Sequence, residues 1–241
     1  MASVEQHYDQ VLSEVYSWMA GGFDDAIARN AEFFAKHGIE PLGSGIAVDL
    51  GAGCGFQTIP LARLGFAVTA IDSAGKLLDE LNEHAAALQI ETVRDDLLNF
   101  DNYVHGDVEL AVCMLDTIVH LESKQKVVTL FEKVLAALQD QGRFIVTFRD
   151  LSNELHELDR FVPVRSDDNT IFTCFLEYEA ETVKVHDLVY RKQGSKWVFH
   201  KSFYRKLRLG QQWMLDRLTE VGFGAVQASA SNGFVTIFAS K

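Results

Sequence analysis

The chain has little proline, little cysteine and too few basic residues to balance its acids. Three prolines in 241 residues, beside 48% hydrophobic residues, exclude a disordered or polyproline-rich chain. Three cysteines, Cys54, Cys113 and Cys174, are odd in number and widely spaced. That argues against a disulfide framework and suggests a reducing, cytoplasmic setting. No His-x-x-His, Cys-x-x-Cys or Glu-x-x-His cluster offers metal-ligand spacing, so no resident metal is expected. No apolar run approaches the roughly 20 residues that span a bilayer, so no membrane partner is expected either. The opening Met-Ala-Ser-Val-Glu-Gln-His-Tyr has no basic region or apolar core, against a signal peptide. A formal net charge of −12 counts against nucleic acid, whose phosphates attract a basic face. Arg205-Lys-Leu-Arg208 is the best basic cluster, read as a solvated strand edge or a local patch. A small-molecule partner is expected, with oligomeric state left open.

What is present is a glycine-rich turn. Ile46-Ala-Val-Asp-Leu runs into Gly51-Ala-Gly-Cys-Gly55, followed by a helix pattern and a second apolar strand ending at Asp72. Glycines let backbone lie against a ligand without an intervening Cβ. The acid about twenty residues on can accept from ribose hydroxyls. Position 56 is Phe, so the third glycine of a dinucleotide fingerprint is missing.

Apolar strands at 46–50, 66–71, 89–94, 108–115 and 143–148 alternate with helix patterns at 56–64, 74–88 and 122–139. This predicts a mostly parallel α/β sheet covered on both faces. Two helices are expected between 5 and 38. Residues 161–208 read as short β-runs with turns at Asp167-Asp-Asn and Gln193-Gly-Ser, an antiparallel insertion. Helix 210–221, closed by Gly222, leads to a final hairpin at 225–230 and 234–239. The whole, residues 1–241, reads as one domain, with an N-terminal helical lid at 1–40 and a β lid at 160–208.

Ligands of open α/β sheets sit beyond the carboxyl ends of the strands. Those ends supply Asp49, Gly51, Ala52 and Gly53; Asp72 and Ser73; Asp95, Asp96 and Leu97; and Met114 with Asp116.

Asp49-x-Gly51-x-Gly53 with Asp72 resembles motif I of the class I S-adenosylmethionine (SAM)-dependent methyltransferases, whose Rossmann-like fold ends in an antiparallel hairpin. Val112–Leu121, Val146–Asp150, Tyr8, Tyr16 and Arg29-Asn-Ala-Glu-Phe-Phe resemble segments of the glycine and sarcosine N-methyltransferases. The resemblance implies SAM as cofactor and S-adenosylhomocysteine as product. It implies that Arg29 pairs with the SAM carboxylate, and that Tyr8 and Tyr16 close over the cofactor. Asp96 with Leu97 would hold the adenine, and Met114 would line the cofactor. Arg149 would hold a substrate carboxylate, with Tyr178 a weaker substrate candidate. Asp116 stands where glycine N-methyltransferase has Asn; it would attract an ammonium, act as base, or hydrogen-bond a hydroxyl. His120 reads equally as a catalytic base and as a helix cap. The expected reaction is methyl transfer to a small molecule, foremost the nitrogen of a carboxylate-bearing amine. A hydroxyl acceptor on a metabolite or sugar, and a non-catalytic SAM-binding module, are the alternatives.

Overall fold

The parallel strands form as the apolar runs predict. The computed structural model describes residues 15–85, 87–231 and 233–241. Tyr8 lies outside them. In chain order the strands are β1 (Ile46–Leu50), β2 (Ala67–Asp72), β3 (Ile90–Arg94), β4 (Val108–Cys113) and β5 (Leu138–Arg149), then β6 (Phe161–Ser166), β7 (Thr170–Tyr178), β8 (Thr182–Gln193), β9 (Lys196–Leu207), β10 (Ala225–Ser231) and β11 (Phe234–Ser240). The helices are α1 (Tyr16–Met19), α2 (Phe23–Lys36), α3 (Thr58–Arg63), α4 (Gly75–His84), α5 (Lys124–Ala137) and α6 (Gln211–Val221).

The main sheet has the order β10-β11-β5-β4-β1-β2-β3. Strands β1 to β5 pair in parallel, and β11 joins β5 antiparallel. β4 is buried along its whole length, as a strand covered on both faces must be. α5 covers one face with Val127, Leu130, Phe131 and Val134, the i, i+3, i+4, i+7 stripe of a buried helix. Strand order reverses between β1 and β4, which opens a crevice there.

Two expectations change at their edges. The helix predicted over 122–139 stops at Ala137, and Leu138 already pairs with Val108. Gln141 at φ 62 and Gly142 carry a bulge in which a Cβ on Gly142 would lie 2.9 Å from the Val108 carbonyl oxygen. Sheet pairing overrides the helical period there. In the N-terminal region, Gly21 and Gly22, at φ 96 and 111, separate α1 from α2. α2 buries Phe34 against Ala47, Leu61 and Phe66, so it belongs to the body rather than to a lid.

The insertion is a separate sheet of order β6-β7-β8-β9, its longest strands turning at Gly194. One face packs Phe172, Leu176, Val183, Val185 and Tyr204 against Val15 and Leu151. The Trp18 indole donates to Asp167 at 2.6 Å and ties α1 to this sheet.

Candidate active site

The crevice at the strand-order reversal opens into a cavity of about 740 Å³. Its walls include Tyr16, Gly51, Gly53, Asp72, Asp96 and His120. Gly51 sits at φ 82, and a Cβ there would lie 2.2 Å from Thr117 Cγ2. No other residue fits that turn. The Thr117 hydroxyl donates to the Met114 carbonyl at 3.1 Å within the loop after β4, and at 3.5 Å to the Gly51 carbonyl in the loop after β1.

Asp72 ends β2, as the sequence predicts. Its two oxygens accept the Gly53 and Ala74 N–H groups, each at 2.8 Å. Burial pushes its carboxyl above the ordinary range, against those N–H bonds. Ser73 lies beside it in the wall. After β3, Asp96 caps a 3-10 turn by accepting from Leu98 N–H at 2.9 Å, and Leu97 follows in the wall. Asp95 also faces the cavity, but its oxygens hold Asn99 at 2.9 Å and Tyr103 at 2.8 Å.

Tyr16 reaches the cavity from α1. Its ring stacks on Phe56 at 5.7 Å, so the residue replacing the third glycine anchors this tyrosine. Burial first, then the Cys54 thiol and the carboxylates of Asp72, Asp116 and Asp49, raise the phenol above its ordinary value. Tyr16 therefore stays a hydrogen-bond donor. Beneath the glycine loop, Asp49 is buried: Oδ2 accepts from Thr58 at 2.6 Å, and Oδ1 has no partner among the described residues. Burial pushes this carboxyl up to about 7. Ala52 is buried too and donates its N–H to Ile71.

Beyond the cavity, Leu115 adopts the left-handed φ of 58, with its carbonyl accepting from Thr147 at 3.3 Å. This turn directs Asp116 toward the insertion. Asp116 accepts the Arg149 N–H at 2.7 Å and the Lys206 ammonium at 2.7 Å. Burial raises its carboxyl, and Lys206, the Arg149 N–H and His120 more than offset that, leaving it below the usual carboxylate range. The Lys206 ammonium lies 5.6 Å from the Tyr204 ring centre, and that ring is 5.3 Å from His120. Tyr16, Asp116 and His120 are thus brought together, with Tyr204 and Lys206 added from β9.

Several expected residues are placed elsewhere. Arg29 is exposed and donates to the Ala20 carbonyl. Met114 packs with Phe34 and Ile145 in the core. The Arg149 guanidinium lies 5.6 Å over the Phe234 ring, and Arg149 does not line the cavity. Tyr178 is partly buried on the packed face of the insertion, with Arg208 over its ring. The run Arg205-Lys-Leu-Arg208 is neither a solvated edge nor a basic patch. Arg205 pairs with Glu179, Lys206 with Asp116, and Arg208 with Glu154. Period-2 alternation sends Lys206 inward and Arg205 outward, a signal that was available in the sequence. What it could not give was the partner across from Lys206.

Residues 47–142 match a family described as Methyltransferase domain. Over this segment the chain carries a methyltransferase domain. It aligns at 39% identity over 57 residues with an rRNA adenine N-6-methyltransferase of Corynebacterium diphtheriae, and at 31% over 102 residues with ribosomal RNA small subunit methyltransferase G of Myxococcus xanthus. These matches cover 24% and 39% of this chain, and only 22% and 47% of those proteins. The fold extends further. The CcbJ methyltransferase of Streptomyces caelestis superposes with a TM-score of 0.79 over 98% of both chains, at 21% identity. CalS10, an amino pentose methyltransferase of Micromonospora echinaspora, superposes with 0.71 over 96% of both, at 13% identity.

The cavity fits SAM, the cofactor that the sequence resemblance implies. The glycine turn gives backbone access, Asp72 stands at the end of β2, and the wall acids Asp72, Asp95, Asp96 and Glu122 outnumber Arg94 and Lys126. An acid-rich wall suits a sulfonium cation. Among the described residues no group of His, Cys, Asp or Glu could hold a metal ion, and no helix is long and apolar enough to cross a membrane.

Proposed function

We propose that this chain transfers a methyl group from SAM to the nitrogen of a small-molecule amine. The carrying observation is the Asp116 carboxylate, held ionised under the influence of Lys206 and of His120, which lines the cavity with the Tyr204 ring 5.3 Å away. A carboxylate next to an aromatic face attracts an ammonium, and the chain's own Lys206 ammonium lies there.

Bound in the cavity, SAM supplies an electrophilic methyl group on a sulfonium that departs as a neutral thioether. The protein has to align the nucleophile and exclude water. Gly51, Gly53 and Asp72 would hold the amino-acid and ribose parts, Asp96 and Leu97 the adenine, and Tyr16 would close over them as a donor. Asp116 would draw in the protonated amine. Its lowered basicity makes it a poor proton acceptor, so His120 is the base that frees the nitrogen lone pair. The insertion covers this end, which suits a small acceptor. The amino pentose methyltransferase with the same fold supports an amino sugar as one candidate class. The carboxylate-bearing amine expected from the resemblance has less support, because the Arg149 guanidinium lies over the Phe234 ring.

The test is the purified full chain with methyl-labelled SAM and a panel of amino sugars, amino acids, uncharged-side-chain amines and phenols. Label on nitrogen is the expected result. Label only on phenolic or sugar oxygens would overturn the amine reading, and absence of SAM binding would overturn the cofactor site.

A further inference from the structure

Asp116 would draw in the acceptor ammonium, yet the chain's own Lys206 ammonium already holds it at 2.7 Å. The two side chains are 23% and 12% exposed, so an incoming group meets a shielded ion pair rather than a waiting carboxylate. The strand itself does not require a lysine there. Along β9, Tyr204 and Lys206 oppose Val185 and Val183 of β8, both buried. An apolar side chain suits that face, and an ammonium is costly on it unless paired.

On the amine reading above, on which this rests, we infer that Lys206 is a specificity-determining residue of the acceptor site: its ammonium stands in for that of the acceptor and has to be exchanged for it. Lysine suits the role. An ammonium on a flexible stem leaves a carboxylate by turning its own chain, whereas the planar fork of an arginine grips both oxygens. A second carboxylate stands on the same face of the insertion. Asp187, on the side of β8 that carries Val183 and Val185, is buried and accepts the Cys174 thiol at 3.1 Å. Burial and Asp187 push that thiol up, and the charges of Lys206 and Arg149 pull it back, so Lys206 acts electrostatically on this row. A displaced Lys206 ammonium therefore turns from one buried acid toward another rather than into apolar packing. Exchange of cation for cation keeps Asp116 compensated throughout. A neutral hydroxyl offers no such exchange and leaves the carboxylate without a counter-charge.

Displacement has a cost that KM records. With Asp116 held in about nine molecules of ten, the apparent affinity for an amine is about tenfold below that of an open site. Initial rates with methyl-labelled SAM test this on the full chain and on folded Lys206→Met and Lys206→Gln, with glucosamine, benzylamine and glycine as acceptors. KM for the amine that takes label should fall about tenfold in both variants. Lys206→Arg, which keeps the charge, should hold KM at or above the wild-type value. Loss of a residue that only supports the fold raises KM or lowers kcat and does not tighten the acceptor. Nitrogen labelled by the neutral variants but not by wild type also supports the exchange. An unchanged or raised KM in both neutral variants, with wild type still labelling nitrogen, overturns it and leaves the amine reading standing. A Lys206→Arg chain with KM below wild type overturns it as well. No nitrogen label from any of the four proteins, with SAM bound, overturns the amine reading and this inference together.

Discussion

Replacing Lys206 with methionine keeps the length of the side chain and removes the ammonium that faces Asp116. The Asp116 and Lys206 side chains are only 23% and 12% exposed, and their atoms meet at 2.7 Å. Removing one partner of a fully buried pair costs about 3–5 kcal/mol, since the other charge is left without compensation. Partial exposure lets water recover some of this, so about 2–3 kcal/mol is expected. For a domain of this size, that lowers the melting temperature by about 4–12 °C near neutral pH. The sign with pH is diagnostic. The folded Asp116 carboxyl lies below its ordinary value, so its contribution is present above about pH 4 and is lost as pH falls through the lowered value. Without Lys206, burial becomes the dominant influence and shifts the carboxyl upward. The variant then binds a proton on folding and loses stability as pH rises. The gap between wild type and variant should therefore be small near pH 4 and widen toward pH 7. Thermal melts across that range measure it. Equal melting temperatures at neutral pH, or a gap that does not change with pH, would refute the electrostatic account. Lys206→Arg should recover most of the loss.

Asp72→Ala should weaken SAM binding at least tenfold, about 1.4 kcal/mol, in calorimetric titration; unchanged affinity would remove Asp72 from the cofactor site. Asp49, pushed by burial to about 7, takes up a proton on folding between about pH 4 and 7, so this group costs stability as pH rises through that window. In Asp49→Asn the slope should flatten, and the unfolding free energy from urea titrations above pH 7 should rise by at most about 4 kcal/mol. A slope identical to wild type would show that the Asp49 carboxyl ionises normally.

The main sheet was legible because its signals are local. Burial on both faces makes β1, β2 and β4 continuous apolar runs, and the glycine turn with Asp72 marks where they meet a ligand. Gly222 ends α6 at φ 115, as its position in the chain announces. Misjudged edges had non-local causes. The strand at Leu138 depends on Val108, and α2 is held by residues of β1 and α3, none of which a helical period records.

The site divides along the same line. Gly51, Gly53, Asp72, Asp96 and Leu97 follow their strands at fixed spacing, so the sequence by itself placed them at one crevice. Arg29, Met114 and Arg149 were assigned by resemblance, and their side chains turn elsewhere because packing decides rotamers. The Asp116–Lys206 pair joins residues 90 positions apart. Its partners are on the main sheet and on the insertion, and only their docking sets the distance between them. Strand periodicity gave the faces of β9; which surface each face would meet was a property of the folded chain, because pairing between separate sheets has no period in the sequence.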